Sequence, residues 1–353
     1  MFNFIEKFKK INIPFFSSFQ IYIDLGTTNT RIAVKDKGVV LTEPTCLGYN
    51  KKLKEYIFFG QEAKSIIGKV PDFIAIDRPI INGIISNFDS EAALISNFIK
   101  RSVNPYLSKS SLIKPPISAI TAVPFIATEI EQKAVEEVLY KVGVAKVDLI
   151  EKPVATAIGC GFNIFAHKPT CIVDLGGGLV EISIISGGGI VVQKTLKTAG
   201  EHMNKLIYSY IYLKHGLILG ENTCEDLKIK LLNFQNEEKT LVVRGKSLET
   251  GLPKSVKIKS SDVKEALLPN FNQIIDAIKE IVELSPPEVV DEIYNQGIIL
   301  AGSLANSPAI DDFFANELKI KVKLEESPDL STITGLVKLG RRRDTMDKLK
   351  VAI

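Results

Sequence analysis

The feature that most constrains the fold is a strand–turn–strand unit that occurs twice in the chain. The first copy places Asp24-Leu25-Gly26 after an apolar run, and the second places Asp174-Leu175-Gly176 after another. In each copy a glycine turn and a third apolar run follow. One copy alone would indicate only a tight hairpin, because such turns need glycine. Two copies 150 residues apart predict a chain built from two related halves.

The residues in the two turns indicate that they bind an anion. Thr27, Thr28 and Asn29 continue the first turn, whereas Gly177 and Gly178 continue the second. Small residues leave the backbone N–H groups uncovered, so an anion can approach them closely. An aspartate at the head of such a turn can hold a hydrated Mg²⁺, which prefers oxygen ligands. Two hairpins that face each other would therefore grip a nucleoside triphosphate from both sides.

Several other classes of protein are excluded by the pattern and the composition. The chain contains no Gly-x-x-x-x-Gly-Lys-Ser/Thr loop, and its glycines lead into a strand rather than into the helix of a dinucleotide-binding fingerprint. The net charge of +3 gives no basic field that would favour nucleic acid. Four cysteines without CxxC spacing indicate buried thiols in a reducing cytoplasm. No apolar run reaches the length of about 18 residues that a membrane-spanning helix needs.

Five further segments carry a resemblance to a known family. They read GVVLTEPT at 38–45, RPIINGIISNF at 78–88, LIEKP at 149–153, TGLPK at 250–254 and SPPE at 285–288. Paired Asp-Leu-Gly hairpins are typical of the actin and sugar-kinase superfamily, and the five segments resemble the bacterial actin MreB. The likeness extends from about Ile21 to about Gly340, which is almost the whole chain.

The resemblance implies an α/β fold, namely the actin-like ATPase fold, a duplicated ribonuclease H-like fold with two lobes around a nucleotide cleft. The order of predicted strands and helices independently supports an α/β lobe around a central mixed sheet. The implied parts are an N-terminal membrane-proximal segment, lobe I, lobe II, and a C-terminal helix that returns to lobe I. Their bounds are 1–20, 21–163 with a small insertion over about 51–79, 164–334 with an insertion over about 201–265, and 335–353.

The resemblance also assigns a nucleotide site residue by residue. It implies ATP and Mg²⁺, with the Mg²⁺ held through water by Asp24 and Asp174. The implied phosphate turns are Thr27, Thr28 and Asn29 in lobe I and Gly176, Gly177 and Gly178 in lobe II. Glu221 is the implied acceptor for the ribose hydroxyls, and Lys228 is the implied neighbour of the adenine. The implied turn beside the adenosine consists of Gly302, Ser303 and Leu304. The family has three glycines at this last turn. Ser303 and Leu304 are therefore expected to add side chains near the nucleotide.

Two departures from the family affect hydrolysis. MreB proteins carry Glu-Glu-Pro, of which the second Glu helps to place the attacking water, and a Thr after the three glycines that helps to order it. This chain has Lys152 and Leu179 at those positions. A protonated Lys offers donors only and Leu excludes water, so we expect weak or absent ATP hydrolysis, with Lys152 contacting the γ-phosphate instead. The alternative is that Glu151 still accepts from the water, although a neighbouring residue in a helix or strand points elsewhere.

Two segments suggest contact with a membrane. The first is a basic amphipathic helix over 1–12, whose apolar face holds Phe4, Ile5, Phe8 and Ile11. Such a helix can lie in a membrane interface, and a disordered terminal tail fits the residues equally well. The resemblance favours the anchor, because some MreB proteins carry one. Leu112 and Ile113, in the loop 103–116, either pack into the core or touch the membrane as the matching loop of the family does.

The resemblance implies a cytoplasmic actin that forms filaments at the inner face of the membrane and supports cell shape or motility. Its implied partners are further copies of itself, paralogous actins and the membrane surface, with no nucleic acid. The alternative is a small-molecule kinase of the same superfamily. Such an enzyme places a catalytic Asp at the start of a helix in the cleft, where this chain has Lys152. A chaperone-like ATPase is disfavoured, because no substrate-binding domain of similar length follows the core.

Overall fold

The structure is a computed structural model that describes residues 18–107, 115–235 and 237–351. The residues predicted to touch a membrane lie outside these ranges: Phe4, Ile5, Phe8, Ile11, Leu112 and Ile113. Within the described ranges, no helix combines the length and the apolar character needed to cross a lipid bilayer.

Lobe I is built on a five-stranded sheet. Its strands are β1 (Phe19–Leu25), β2 (Asn29–Val34), β3 (Gly38–Pro44), β9 (Ile117–Val123) and β10 (Val144–Glu151). They lie in the order β10-β9-β1-β2-β3, in which β1, β2 and β3 form an antiparallel meander and β9 and β10 run parallel to β1. The apolar strand β9 is buried on both faces, as a central parallel strand must be.

Three helices pack on this sheet: α2 (Phe88–Val103), α3 (Glu129–Lys141) and α4 (Lys152–Gly159). Helix α3 begins after Thr128, whose hydroxyl accepts from Glu131 N while its own N–H donates to the Glu131 carboxylate. This reciprocal cap satisfies two N–H groups that a helix start otherwise leaves unpaired.

Lobe II repeats the same plan. Its strands are β11 (Thr170–Leu175), β12 (Val180–Ser186), β13 (Gly189–Leu196), β17 (Ile298–Ala301) and β18 (Val322–Leu324). They lie in the order β13-β12-β11-β17-β18, with an antiparallel meander on one side and two parallel strands on the other. Helices pack on the sheet: α7 (Ser260–Glu283), α8 (Pro287–Gln296) and α9 (Ile310–Leu318). The two halves predicted from the repeated hairpin are thus confirmed as two sheets of identical topology.

Each lobe also carries a smaller sheet at the outer end of the cleft. In lobe I this sheet has the order β5-β4-β6 and is followed by a short hairpin; the elements are β4 (Leu47–Asn50), β5 (Glu55–Phe59), α1 (Gln61–Ser65), β6 (Ile74–Asp77), β7 (Ile80–Ile81) and β8 (Ile84–Ile85). In lobe II the order is β14-β15-β16; the elements are α5 (Gly200–His215), β14 (Leu217–Ile218), α6 (Glu221–Leu231), β15 (Thr240–Ser247) and β16 (Pro253–Lys259).

A pair of helices joins the lobes at the base of the cleft. Helix α4 packs against α10 (Ser331–Gly340), and α11 (Arg343–Asp347) follows. The two backbones touch, because an ideal Cβ on Gly335 would lie 1.7 Å from the carbonyl oxygen of Ala155. Helix α10 also contacts β1 and β9 of lobe I. It begins at Ser331, ahead of the predicted boundary at residue 335, and the residue bounds of the lobes stay predictions.

Candidate nucleotide-binding site

The two Asp-Leu-Gly turns meet across the cleft. An ideal Cβ on Gly177 would lie 1.8 Å from Thr28 Oγ1, and one on Gly178 would lie 2.2 Å from Thr27 Oγ1. Neither glycine can therefore carry a side chain while the turns face each other this closely. The two turns line one cavity, which has a volume of about 60 Å³.

Hydrogen bonds from the body of each lobe orient the backbone carbonyls of the turns. The carbonyl oxygens of Gly176 and Gly177 accept from Gly200 N at 3.2 Å and from Glu201 N at 2.8 Å. The Gly26 carbonyl accepts from Thr45 Oγ1 at 2.7 Å. A trans peptide points its C=O and the following N–H in opposite directions, so the N–H groups after these carbonyls point away from the lobes. The turns thus present donors to the cavity, which is the arrangement that binds phosphate.

The hydroxyls of the first turn have separate roles. Thr27 Oγ1 accepts from Gly83 N at 2.8 Å, which ties the turn to the β7–β8 hairpin. Thr28 Oγ1 is buried at the contact between the turns and has no hydrogen-bond partner within the described residues. A buried hydroxyl without a partner is costly unless a ligand or water satisfies it. Asn29 is the first residue of β2 and lines the same cavity.

Both aspartates at the heads of the turns are buried and paired with cations. Asp24 is 5% exposed, and its Oδ2 lies 3.5 Å from Arg31 Nη1. Burial raises the pKa of Asp24, and the guanidinium of Arg31 acts against that rise. Asp174 is also 5% exposed, and its Oδ2 lies 2.9 Å from Lys152 Nζ. Neither of these ion pairs is predicted by the sequence pattern.

Lys152 is the first residue of α4 and points into the phosphate cavity. Its Nζ also lies 3.2 Å from Glu181 Oε2, a carboxylate with a side chain only 1% exposed. Burial alone would lower the pKa of Lys152, but the carboxylates of Asp174, Glu181 and Asp24 outweigh it and raise that pKa. The ammonium group is therefore held in its charged form. It sits at a helix N-terminus, where the helix dipole disfavours a cation, so these carboxylates are what stabilise it there.

The residues across from the two aspartates occupy equivalent positions in the internal repeat. Arg31 stands directly across from Asp24 in the β1–β2 ladder, and Glu181 stands directly across from Asp174 in the β11–β12 ladder. The same position thus carries opposite charge in the two halves. In lobe I the Asp receives its cation from its own hairpin, whereas in lobe II a second carboxylate recruits Lys152 from α4. Hairpin register, seven residues after each Asp, is the signal that would have placed Arg31 beside Asp24 and Glu181 beside Asp174, but it does not find Lys152.

Of the two other residues considered for hydrolysis, Leu179 lines the cavity and Glu151 does not. Leu179 is 4% exposed and lines the cavity, and its Cδ1 lies 3.0 Å from an ideal Cβ on Gly83. It makes an apolar wall at this position, where the sequence resemblance implies a hydroxyl. Glu151 occupies the position before α4, burial raises the pKa of its carboxyl, and it does not line the cavity. The geometry therefore gives no support to Glu151 as the acceptor for the attacking water.

The nucleoside side of the cleft is closed by polar contacts between the outer subdomains. Arg78 of lobe I pairs with Glu221, the predicted ribose acceptor, and lies 3.9 Å from a carboxylate oxygen of Glu201. Lys64 Nζ lies 2.8 Å from Glu225 Oε2. Lys228, the predicted adenine neighbour, is buried; burial lowers its pKa to about 8, and its Nζ donates to the Gly200 carbonyl at 2.6 Å.

The three residues of the turn at 302–304 have different surroundings. Gly302 has φ of 86°, and an ideal Cβ there would lie 2.4 Å from Asp174 Oδ1, so only glycine fits. Ser303 lines the cavity, and its Oγ lies 3.3 Å from Arg31 Nη2. Leu304 is 7% exposed and packs in the core of lobe II. The side chain of Leu304 therefore packs away from the cavity, contrary to the expectation, whereas Ser303 does line the cavity.

The carboxylates fit a Mg²⁺ poorly in this arrangement. Both predicted ligands, Asp24 and Asp174, already face a basic side chain. Across the described ranges, no three His, Cys, Asp or Glu side chains come together as a group that could hold a metal ion. Any Mg²⁺ here would depend on the phosphates themselves for most of its ligands.

Two sheets of identical topology, with a phosphate-type turn from each meeting in the cleft between them, define an actin-like protein. The family model described as MreB/Mbl protein matches residues 18–348. The chain belongs to the MreB/Mbl family.

Individual relatives agree with this assignment. The chain is 36% identical over 333 residues to the cell shape-determining protein Mbl of Bacillus subtilis strain 168, covering 93% of this chain and 97% of the relative. It is 31% identical over 312 residues to the cell shape-determining protein MreB of Escherichia coli K12, covering 87% and 88%.

Solved structures agree as well. MreB 5 of Spiroplasma citri bound to AMPPNP superposes with a TM-score of 0.86 at 29% identity, covering 93% of this chain and 97% of that one. A MamK double helical filament, at 19% identity, has a TM-score of 0.77 over 92% of this chain and 99% of that one, and shows likeness of fold alone.

Proposed function

We propose that the protein binds ATP between its lobes and polymerises into cytoskeletal filaments. The observation that carries this proposal is the meeting of the two turns, which direct backbone donors into one cavity and leave Thr28 Oγ1 without a partner among the described residues. Structures of the related MreB 5 hold AMPPNP and ADP, which supports the choice of an adenine nucleotide. The relatives named as cell shape-determining proteins support a role in cell shape, and a role in motility is the alternative that we propose from the sequence resemblance.

We further propose that this chain hydrolyses ATP slowly. Hydrolysis needs an acceptor that orients a water beside the γ-phosphate. Two side chains that line the cavity offer no such acceptor: the charged amine of Lys152 only donates, and Leu179 is apolar. The kinase alternative has no observation in its favour, because the start of α4 carries this lysine in place of a catalytic carboxylate.

Calorimetric titration and electron microscopy test binding and assembly together. Purified protein is titrated with ATP in excess Mg²⁺, and the same sample is imaged by negative stain with ATP and without nucleotide. We expect saturable binding and filaments that need the nucleotide. Absence of binding at millimolar ATP, or particles that stay monomeric under every condition, would contradict the proposal.

The filaments are proposed to lie at the inner face of the membrane, with the protein otherwise cytoplasmic. This rests on the sequence pattern of 1–12 and of Leu112 and Ile113, which lie outside the described residues. Sedimentation with anionic vesicles tests it for a chain lacking residues 1–11 and for Leu112→Ser with Ile113→Ser. Both changes should weaken binding, because apolar insertion and basic charge add together.

A matched control for that experiment is Leu284→Ser, since Leu284 is an apolar side chain that is 69% exposed and lies just after α7 in lobe II. The control should sediment like the unaltered chain. If both altered chains sediment with vesicles as fully as the control does, neither segment is an anchor.

A further inference from the structure

We propose that the ammonium group of Lys152 competes with Mg²⁺ for Asp174 and supplies part of the positive charge at the phosphates, so that nucleotide binding depends only weakly on Mg²⁺. This inference rests on the proposed binding of ATP and names a property of that same site.

The position of the ammonium group carries the first step. Lys152 Nζ is 2.9 Å from Asp174 Oδ2 and 3.9 Å from an ideal Cβ on Gly176, at the edge of the second phosphate turn. A protonated amine has three donors. Asp174 Oδ2 and Glu181 Oε2 are its two ion-pair partners, so at least one of the three N–H groups stays available for an oxygen of a phosphate held by the turn.

The second step is that Lys152 is held in this position. Helix α4 is locked against α10, with Thr156 Oγ1 bonded to Thr332 Oγ1 at 2.9 Å and to the Lys152 carbonyl at 3.0 Å. If the lysine swung out, Glu181 would remain 2% exposed with no cation beside it. An uncompensated buried charge is strongly destabilising, so the lysine stays when the nucleotide enters.

The third step is the competition itself. A hydrated Mg²⁺ that used Asp174 would place a second cation beside the ammonium group on the same carboxylate. Like charges on one site repel, so the metal and Lys152 each weaken the benefit of the other. Removing the lysine charge should therefore increase the gain in ATP affinity that Mg²⁺ provides. Asp174 and Glu181 would then face the phosphates with no cation between them.

The experiment measures the dissociation constant of ATP by calorimetry in excess Mg²⁺ and in EDTA. For the unaltered chain, the loss of affinity in EDTA should stay below about tenfold. For Lys152→Gln the loss should be at least about tenfold larger, the size expected for one hydrogen bond to a charged group. Lys152→Arg, which keeps the cation, should resemble the unaltered chain.

Lys338→Gln is the matched control for charge. Lys338 Nζ donates to the Ile158 and Gly159 carbonyls at the other end of α4, about 10 Å from Lys152 along the helix axis. Its Mg²⁺ dependence should equal that of the unaltered chain. Lys152→Gln leaves the buried carboxylate of Glu181 without its cation. The double variant Lys152→Gln with Glu181→Gln removes both charges and keeps the net charge of the site unchanged. It should show the same stronger dependence of ATP affinity on Mg²⁺.

The outcomes separate the two proposals. An unaltered chain that binds in Mg²⁺ but loses as much affinity in EDTA as Lys152→Gln overturns the inference and leaves ATP binding intact. An unaltered chain that binds in neither buffer overturns the proposed function, and the inference with it. Weak Mg²⁺ dependence that survives both glutamine variants also overturns the inference, because the lysine would then not be its cause.

Discussion

A single added methyl group should keep the two phosphate turns apart. In Gly177→Ala the new Cβ would lie 1.8 Å from Thr28 Oγ1 and 2.8 Å from Thr28 Cβ. Rotation of the threonine can remove the first clash but not the second. Because ordinary contacts begin at 3.4 Å, the backbones must separate by at least about 0.6 Å, the difference between 3.4 and 2.8 Å.

The magnitude follows from the phosphate contacts. The turns grip the phosphates with backbone donors, and parting them should cost at least one hydrogen bond to a charged group, about 1.5–3 kcal/mol. ATP affinity should then fall by about 10- to 150-fold. The backbone of Gly177 has no positive φ, so the hairpin itself should tolerate alanine and thermal stability should change little.

Calorimetric titration with ATP checks this expectation against a matched control in the same lobe. Gly189→Ala makes the same chemical change, and its Cβ would meet nothing within 4 Å. The control should bind like the unaltered chain. Equal ATP affinities for Gly177→Ala and Gly189→Ala would refute the contact between the turns. If adding Thr28→Gly to Gly177→Ala restores ATP affinity, the clash with the Thr28 side chain is the cause of the loss.

Three further changes test other parts of the molecule. Glu91 is 0% exposed with no partner among the described residues for either oxygen, and burial raises its pKa from 4.5 to about 8. The folded state then binds more protons, so unfolding free energy should fall between pH 4.5 and 8 by up to about 1.4 kcal/mol per pH unit, and Glu91→Gln should flatten that slope in denaturant titrations. Arg78→Ala removes the partly exposed pair with Glu221, and release of a labelled ATP should quicken by about two- to fivefold in stopped flow; an unchanged rate would mean that the pair does not hold the cleft shut. Gly335→Ala would place its Cβ 1.7 Å from the Ala155 carbonyl, so melting should reveal a loss of about 1–3 kcal/mol or more, and an unchanged midpoint would contradict the close packing of α4 and α10.

The fold was predictable because its main signals are local. An Asp-Leu-Gly turn with apolar runs on either side specifies a hairpin, and finding it twice specifies two halves. Once the two halves face each other, their turns bring Thr27 and Gly177 into one cavity. The position of each residue within its own turn is set by the local sequence alone.

The partners in the site were not predictable in the same way, because they depend on register and on lobe closure. Glu181 reads as one charged residue in an apolar strand, and only the β11–β12 ladder sets it beside Asp174. Arg78 and Glu221 come from different lobes and meet only when the cleft closes. Leu304 was expected beside the nucleotide, but a leucine after Gly302 gains more from burial in the core of lobe II.

Phosphate release at saturating Mg-ATP tests the central claim most directly, namely that Lys152 and Leu179 leave the γ-phosphate without an ordered water. The proteins compared are the unaltered chain, Lys152→Glu, Leu179→Thr and the double variant, which restores both acceptors. The double variant places a third carboxylate beside Asp174 and Glu181, so excess Mg²⁺ is kept throughout.

Turnover of the double variant should rise by about 10²-fold or more, the lower range for a general base, with ATP affinity within a few-fold. The single variants should gain less, because residues that order one water act as a unit. An unaltered chain that releases phosphate as fast as the double variant would contradict the account, because another residue would then already position the water.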